Sequence, residues 1–260
     1  MKKYNFDAKK EYNKIITWIR KYWVNNASDN TNAIIGISGG KDSTVAAALC
    51  VAALGRNRVK GILMPQGEQA DLQDAIDVCE LLGIEYIIHN IDETCKSIYH
   101  GMVQASAEAN KTVTINTPPR VRMTVLYAYA AAMGGRVVNT CNYSEDYVGY
   151  STKYGDLAGD FGIFRYYTAT EVVKLGVEWL TQYIWDADIM KRFLDLLNKT
   201  PSDGLCGTTD EDNLGFTYEV LDNYLREGIA PDYEILKKIE TLHERNRHKT
   251  CIMIPSPYYH

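Results

Sequence analysis

The chain is predicted to fold as an α/β protein, a doubly wound, mainly parallel sheet flanked by helices. Three observations predict this. Short apolar runs at 33–35, 59–63, 86–88 and 136–139 alternate with stretches of helical period. The runs lie too far apart for hairpins, so helical crossovers must join them and leave the strands parallel. A glycine-rich turn follows the first run and opens into an alanine-rich helix, as anion-binding turns in such sheets do.

The first helix is expected over 7–25, where Ile15, Ile16, Ile19, Tyr22 and Trp23 share one face and should cover a side of the sheet. The first strand leads through the glycine-rich turn into a helix that includes 45–49. After Gly55 and a basic turn, the strand at 59–63 ends at Met64-Pro65, and 66–69 is a polar turn. Leu72, Ala75, Ile76, Cys79 and Leu82 mark a helix over 71–82, with Gly83 as its cap. The third strand at 86–88 and a helix over 92–109 follow. An alanine-rich helix at 124–133 ends at Gly134-Gly135, before the fourth strand. Residues 141–163 read as a long loop rich in Tyr, Gly and acids; loops of that length in compact domains are functional or disordered, and the aromatic content argues against disorder. Helices resume near Thr168 and again over 213–225 and 232–245, with a polar stretch at 201–212 and an extended tail at 248–260. Ligands of doubly wound sheets bind beyond the carboxyl ends of the strands, so 38–43, 64–68 and 140–160 should face one crevice.

Composition narrows the function. Hydrophobic residues make up 46% and charged residues 23%, the balance of a globular protein, and the net charge of −5 gives no sequence-independent grip on nucleic acid. The six cysteines include no C-x-x-C pair, which points to buried reduced thiols rather than a zinc cluster. The amino terminus lacks the apolar core of a signal peptide, and no run is long enough to cross a bilayer. A cytoplasmic protein without membrane or nucleic-acid partners is expected, as one domain over 1–260.

The chemistry centres on Gly36-Ile37-Ser38-Gly39-Gly40-Lys41-Asp42-Ser43-Thr44. Free N–H groups of the first helical turn, with the helix dipole, favour a phosphate there. The turn is not a Walker A loop, which needs one more residue before its Gly-Lys pair and no acid after it. A carboxylate beside a pyrophosphate is repulsive unless a divalent cation lies between them, so Asp42 suggests Mg²⁺ as well as phosphate.

The string from Ser38 to Ser43 resembles the pyrophosphatase loop of the adenine-nucleotide alpha-hydrolase superfamily, whose members split ATP into AMP and pyrophosphate. Four further stretches resemble NAD synthetases in particular: Asn116-Thr117-Pro118-Pro119-Arg120-Val121-Arg122-Met123, Asn139-Thr140-Cys141-Asn142-Tyr143-Ser144-Glu145, Gly149-Tyr150-Ser151-Thr152-Lys153-Tyr154-Gly155-Asp156 continuing to Asp160, and Pro201-Ser202-Asp203-Gly204-Leu205 through Thr209-Asp210-Glu211-Asp212-Asn213-Leu214-Gly215. The resemblance runs from the first helix to His248-Lys249. It implies ATP-dependent amidation of deamido-NAD to NAD through an acyl adenylate, with release of AMP and pyrophosphate. A chain that starts shortly before its phosphate loop resembles the short form of the enzyme, which takes ammonia, rather than the form with an added glutaminase domain. The loop alone would also fit enzymes that thiolate or amidate a tRNA base, but those usually need a basic surface and often paired cysteines.

The resemblance also implies roles. Gly36, Ile37, Ser38, Gly39, Gly40, Lys41, Asp42 and Ser43 would hold ATP, with Thr140 and Ser202. Asp42 and Glu145 would bind Mg²⁺ and serve catalysis. Arg120, Lys153, Asp160, His248 and Lys249 would bind deamido-NAD, and the arginine and lysine suit phosphate and carboxylate groups. A homodimer is implied too. Tyr143, Tyr147 and Tyr150 would either stack on a ligand ring or pack under their loop. Two positions depart from the family pattern: Ile163 replaces a common Pro, and Ala169 replaces a Lys expected to touch ATP phosphates. Lys41, Lys174 or a partner subunit is left to supply the missing charge.

Overall fold

In the computed structural model, which describes residues 4–199 and 209–249, Asp7 starts the first helix by accepting a hydrogen bond from the Lys10 N–H at 3.0 Å. This helix, α1 (Ala8–Asn26), buries Ile15, Ile16, Ile19 and Trp23 together with Tyr12. The chain continues through β1 (Asn32–Gly36), α2 (Lys41–Leu54), a 3-10 turn (Arg56–Arg58), β2 (Val59–Leu63), α3 (Leu72–Leu82) and β3 (Glu85–Ile88). Next come α4 (Asp92–Gln104), α5 (Lys111–Met133), β4 (Gly135–Asn139), α6 (Tyr143–Val148) and β5 (Phe161–Gly162). The last elements are α7 (Ala169–Tyr183), α8 (Ala187–Leu197), α9 (Asp210–Leu214), α10 (Tyr218–Glu227), α11 (Tyr233–Asn246) and a 3-10 turn (Arg247–Lys249).

All five strands are parallel, in the order β3-β2-β1-β4-β5. Ile35 lies opposite Gly61, and Ala33 opposite Arg136. Successive residues of a strand face opposite sides of the sheet, and β1 buries both. Ala33 and Ile35 join one core with α1, α2, α3, α7 and α8 (among others Ile15, Leu49, Val78, Trp179 and Phe193), whereas Ile34 joins Ile62, Ile91, Val121 and Val137 under α4 and α5. Helices therefore cover both faces, as the apolar strands predict. A third cluster, including Val148, Leu214, Tyr218, Leu221 and Ile239, ties α6, α9, α10 and α11 together beside the sheet.

Four expectations change. The helix expected over 92–109 ends at Gln104, and the one expected at 124–133 begins at Lys111, where Asn110 caps it by accepting from the Thr112 and Val113 N–H groups. Pro118 and Pro119 lie inside α5. Each lacks an N–H and would normally end a helix, but here the helix continues, packed along β1 and β4. The loop at 141–163 contains α6 and β5. Six residues are too few to show a helical period, but Asn142 and Glu145 form a capping box, a signal present in the sequence. The helix expected over 213–225 is two helices, because Gly215 adopts a φ of 74° that a side chain rarely tolerates.

Cys50, Cys79, Cys95 and Cys141 are buried free thiols, as expected; burial pushes the Cys79 thiol up to about 12. Cys206, Cys251, the stretch at 201–208 and the tail from 250 lie outside the described residues. Among the described residues no helix is long and apolar enough to cross a membrane.

Candidate active site

The strand order reverses between β1 and β4, so the chain leaves their carboxyl ends toward opposite sides and a crevice opens there. A cavity of about 620 Å³ fills it, a size suited to a nucleotide. Its wall includes Ser38 and Gly40 to Ser43 after β1, Met64 and Pro65 after β2, and Thr140, Glu145, Thr152 and Asp156 after β4. The three segments expected at one crevice do meet.

The turn after β1 is held by its own hydroxyls. Ser38 Oγ accepts the Gly40 N–H at 3.2 Å and lies 3.1 Å from Ser43 Oγ, which accepts the Ser38 N–H at 3.2 Å. Gly39 has a φ of +77°, and a Cβ there would stand 2.7 Å from Asp74 Cβ and 2.9 Å from the Ala75 nitrogen. The turn is thus pressed against the first residues of α3, and only glycine fits. Gly40 gives α2 no side-chain cap, and that helix end, with its positive dipole, forms part of the cavity wall.

Four charged groups of the wall, Lys41, Asp42, Glu145 and Asp210, are gathered around one amide, Asn142. The Lys41 ammonium, nearly buried, donates to Asp42 Oδ2 at 2.8 Å and lies 5.3 Å over the Tyr218 ring. Burial opposes its charge, but the carboxylates of Asp42, Glu145 and Asp210 more than compensate and keep it protonated above the usual lysine range. Asp42 Oδ1 accepts from Asn142 Nδ2 at 3.0 Å. Asn142 also caps α6: its side-chain oxygen accepts the Glu145 N–H at 3.0 Å, and its own N–H donates to Glu145 Oε2 at 3.3 Å. One residue therefore positions both acids. Burial, and then the like charge of Asp42, push the Glu145 carboxyl well above its ordinary range against the pull of Lys41. Such a pair holds a proton between its members or a cation. Replacing Asn142 with Ala removes the cap and the Asp42 donor; stability should fall by about 1 kcal/mol in thermal denaturation, and kcat by roughly tenfold in a pyrophosphate-release assay.

Three of the residues expected at the dinucleotide form a chain of contacts. Arg120 Nε donates to the Lys153 carbonyl at 3.2 Å, and Lys153 Nζ to the His248 carbonyl at 2.7 Å. Lys249 Nζ donates to the carbonyls of Gly149 at 2.8 Å and Ser151 at 3.0 Å. Lys249 belongs to the cavity wall; Arg120, Lys153 and His248 lie beside it. Burial lowers the Lys249 ammonium from its usual range, opposed by Asp156 and assisted by Arg245.

A family model for NAD synthase matches residues 11–256. The chain belongs to the NAD synthase family. It is 38% identical over 261 residues to the NH(3)-dependent NAD(+) synthetase of Methanocaldococcus jannaschii, covering 94% of this chain and 95% of the relative. The corresponding protein of Pyrococcus furiosus is 35% identical, with 98% and 96% covered. Among solved structures, NMN synthetase from Francisella tularensis superposes with a TM-score of 0.83 at 31% identity, over 96% of this chain and 98% of that one. The NH3-dependent NAD synthetase of Campylobacter jejuni, in complex with the nitrate ion, gives 0.70 at 27% identity, over 95% and 98%.

The other expected NAD synthase positions divide. Thr140 is in the wall, and Ser202 lies outside the described residues. Asp160 is not in the wall: its carboxylate accepts the Val137 N–H at 2.7 Å, and its carbonyl accepts the Tyr22 hydroxyl at 3.1 Å. Ala169 is buried at the start of α7, its N–H donating to Ser144 Oγ at 3.1 Å. Lys174 is exposed over the Phe6 ring and is no part of the cavity, so of the two lysines considered as substitutes only Lys41 reaches it. Tyr150 lines the cavity, whereas Tyr143 packs edge-on against Tyr147, which stacks on His243 at 4.0 Å. Sequence reasoning missed Lys111, Arg122, Lys199 and Asp210 in the wall, and Asn142 and Tyr218, which touch Asp42 and Lys41 of the wall. Only Asn142 carried a local signal, its capping box.

Proposed function

We propose that this chain amidates deamido-NAD to NAD, using ATP and ammonia and releasing AMP and pyrophosphate. The observation that carries the reading is that Asn142 holds both Glu145 and Asp42, the acid that follows the glycine turn at the start of α2. A nicotinate carboxylate oxygen attacks the α-phosphorus of ATP, and the bond to the bridging oxygen breaks toward pyrophosphate. The turn and the α2 N-terminus receive that pyrophosphate through backbone N–H groups. Ammonia then attacks the acyl carbon with its lone pair, AMP departs, and the nitrogen loses a proton. NAD synthases are ATP-dependent carbon–nitrogen ligases, which supports this order of bond changes.

Asp42 and Glu145 offer hard oxygen donors on one wall, and with Asp210 they outnumber Lys41 there. This donor set fits Mg²⁺, which when bound supplies charge neutralisation for the departing pyrophosphate. Gly36 to Ser43, Thr140 and Ser202 are assigned to ATP. Arg120, Lys153, His248 and Lys249, with Asp160, are assigned to deamido-NAD. A cytoplasmic homodimer, each chain forming one synthetase domain over 1–260, completes the proposal.

A second reading shortens the acceptor to the mononucleotide acid, and the likeness to the Francisella tularensis NMN synthetase favours it. Purified protein with Mg²⁺, ATP and ammonium should form NAD and pyrophosphate one for one, with kcat/KM for deamido-NAD at least about tenfold above that for the mononucleotide acid. The reverse ranking would install the second reading, and amide formation from neither acceptor would remove both.

A further inference from the structure

The NAD synthase pattern expects a lysine at 169 to contact ATP phosphates, and this chain buries an alanine there. Position 169 cannot hold the missing charge, and Lys174, about one and a half helical turns further on, points away. Among the described residues, five cations remain in the cavity wall: Lys41, Lys111, Arg122, Lys199 and Lys249. Lys41 already belongs to the ATP-holding turn, and three others are held elsewhere or lie away from that turn. Lys41 holds Asp42, Arg122 Nε donates to the Met64 carbonyl at 3.1 Å, and Lys249 spans two carbonyls. Lys111 comes from α5, which covers the opposite face of the sheet from α2 and α3.

Lys199 differs. It follows α8, whose Phe193 and Leu197 are buried in the core beneath α2 and α7, so its backbone is well anchored. Its ammonium donates to Asp74 Oδ2 at 2.6 Å. Asp74 is the residue whose Cβ stands directly against Gly39 of the phosphate turn. Lys199 is therefore held beside the glycine turn by a partner at that turn's edge. Both side chains of the pair are 39% exposed, and an ion pair so exposed is weak enough for a polyphosphate oxygen to take the carboxylate's place.

We propose that Lys199 binds the β- and γ-phosphates of ATP and the departing pyrophosphate, with Asp74 as its resting partner. This rests on the reading that the site cleaves ATP to pyrophosphate. Lys199 replaces the charge absent at 169 from the segment that follows α8, on the side of the cavity where the turn lies.

The full chain should be compared with Lys199→Ala, Lys199→Arg and Asp74→Asn, by steady-state kinetics and by calorimetric titration with magnesium pyrophosphate. Lys199→Ala should raise the KM for ATP and the Kd for magnesium pyrophosphate about 10- to 100-fold. The KM values for the acceptor and ammonium should stay within about twofold, because the lost contact is to phosphate alone. Lys199→Arg should recover most of the loss. Asp74→Asn should hold both constants near wild type, since it frees the ammonium without removing it. Unchanged ATP and pyrophosphate constants in Lys199→Ala, or an equal loss in Asp74→Asn, would overturn the assignment. The two readings separate cleanly. A wild-type chain that binds magnesium pyrophosphate and releases none from ATP defeats the functional reading alone, and the titrations still decide the role of Lys199.

Discussion

Asp42→Asn should lower kcat for NAD formation about 10³-fold, the usual cost of removing a group that stabilises charge in the transition state. Asp42 now accepts from two donors, Lys41 Nζ and Asn142 Nδ2. An asparagine has one acceptor oxygen, so whichever way its amide is turned, an NH₂ group faces another donor. The variant also removes half of the anionic pair that would hold Mg²⁺. Stability should change by only about 1 kcal/mol, the worth of one hydrogen bond, because the turn keeps its Ser38 and Ser43 contacts. Pyrophosphate release and thermal denaturation on the same preparation separate the two effects. A variant with kcat within about threefold of wild type would take Asp42 out of the chemistry.

Arg226→Ala should destabilise the fold by about 3–5 kcal/mol in urea denaturation, the cost of leaving a buried charge without its partner. Glu171 is 2% exposed and accepts from Arg226 Nε at 2.9 Å and Nη2 at 2.5 Å, and from the Thr168 N–H at 2.9 Å. The same guanidinium donates to the Tyr166 carbonyl at 2.6 Å. Removing it strands the carboxylate and frees α10 from α7. Replacing both members, Arg226→Met with Glu171→Leu, should recover most of the loss, since no charge is left buried. A single-variant loss below about 1 kcal/mol would mean that water reaches Glu171 and solvates it.

The parallel sheet was legible because β1, β2 and β4 are buried on both faces, which leaves nearly unbroken apolar runs, and because α1 and α3 carry clear stripes. The amino-terminal half of α5 was not, since its two prolines argue locally for a break that packing against β1 and β4 overrides. The phosphate turn was legible for a different reason: its chemistry is contiguous. The rest of the wall is assembled in part from α6, α9 and the segment after α8, and nothing periodic in those segments says which side chains turn inward. Lys199 is the plainest case, an ordinary lysine after a helix whose importance rests on where α3 places Asp74. Asp160 shows the converse, since it sits in a telling string yet spends its carboxylate on the backbone of β4.

The hydrogen bond from Asn142 to Asp42 joins residues 100 positions apart. During synthesis the glycine turn and Asp42 emerge with the first strand, but their counterpart arrives only after β2, β3, α5 and β4 have been made. A nascent chain that ends before β4 carries an anion-binding turn without the residue that orients its acid. A nucleotide held by both halves therefore stabilises the folded state in full by mass action once that distant half has docked.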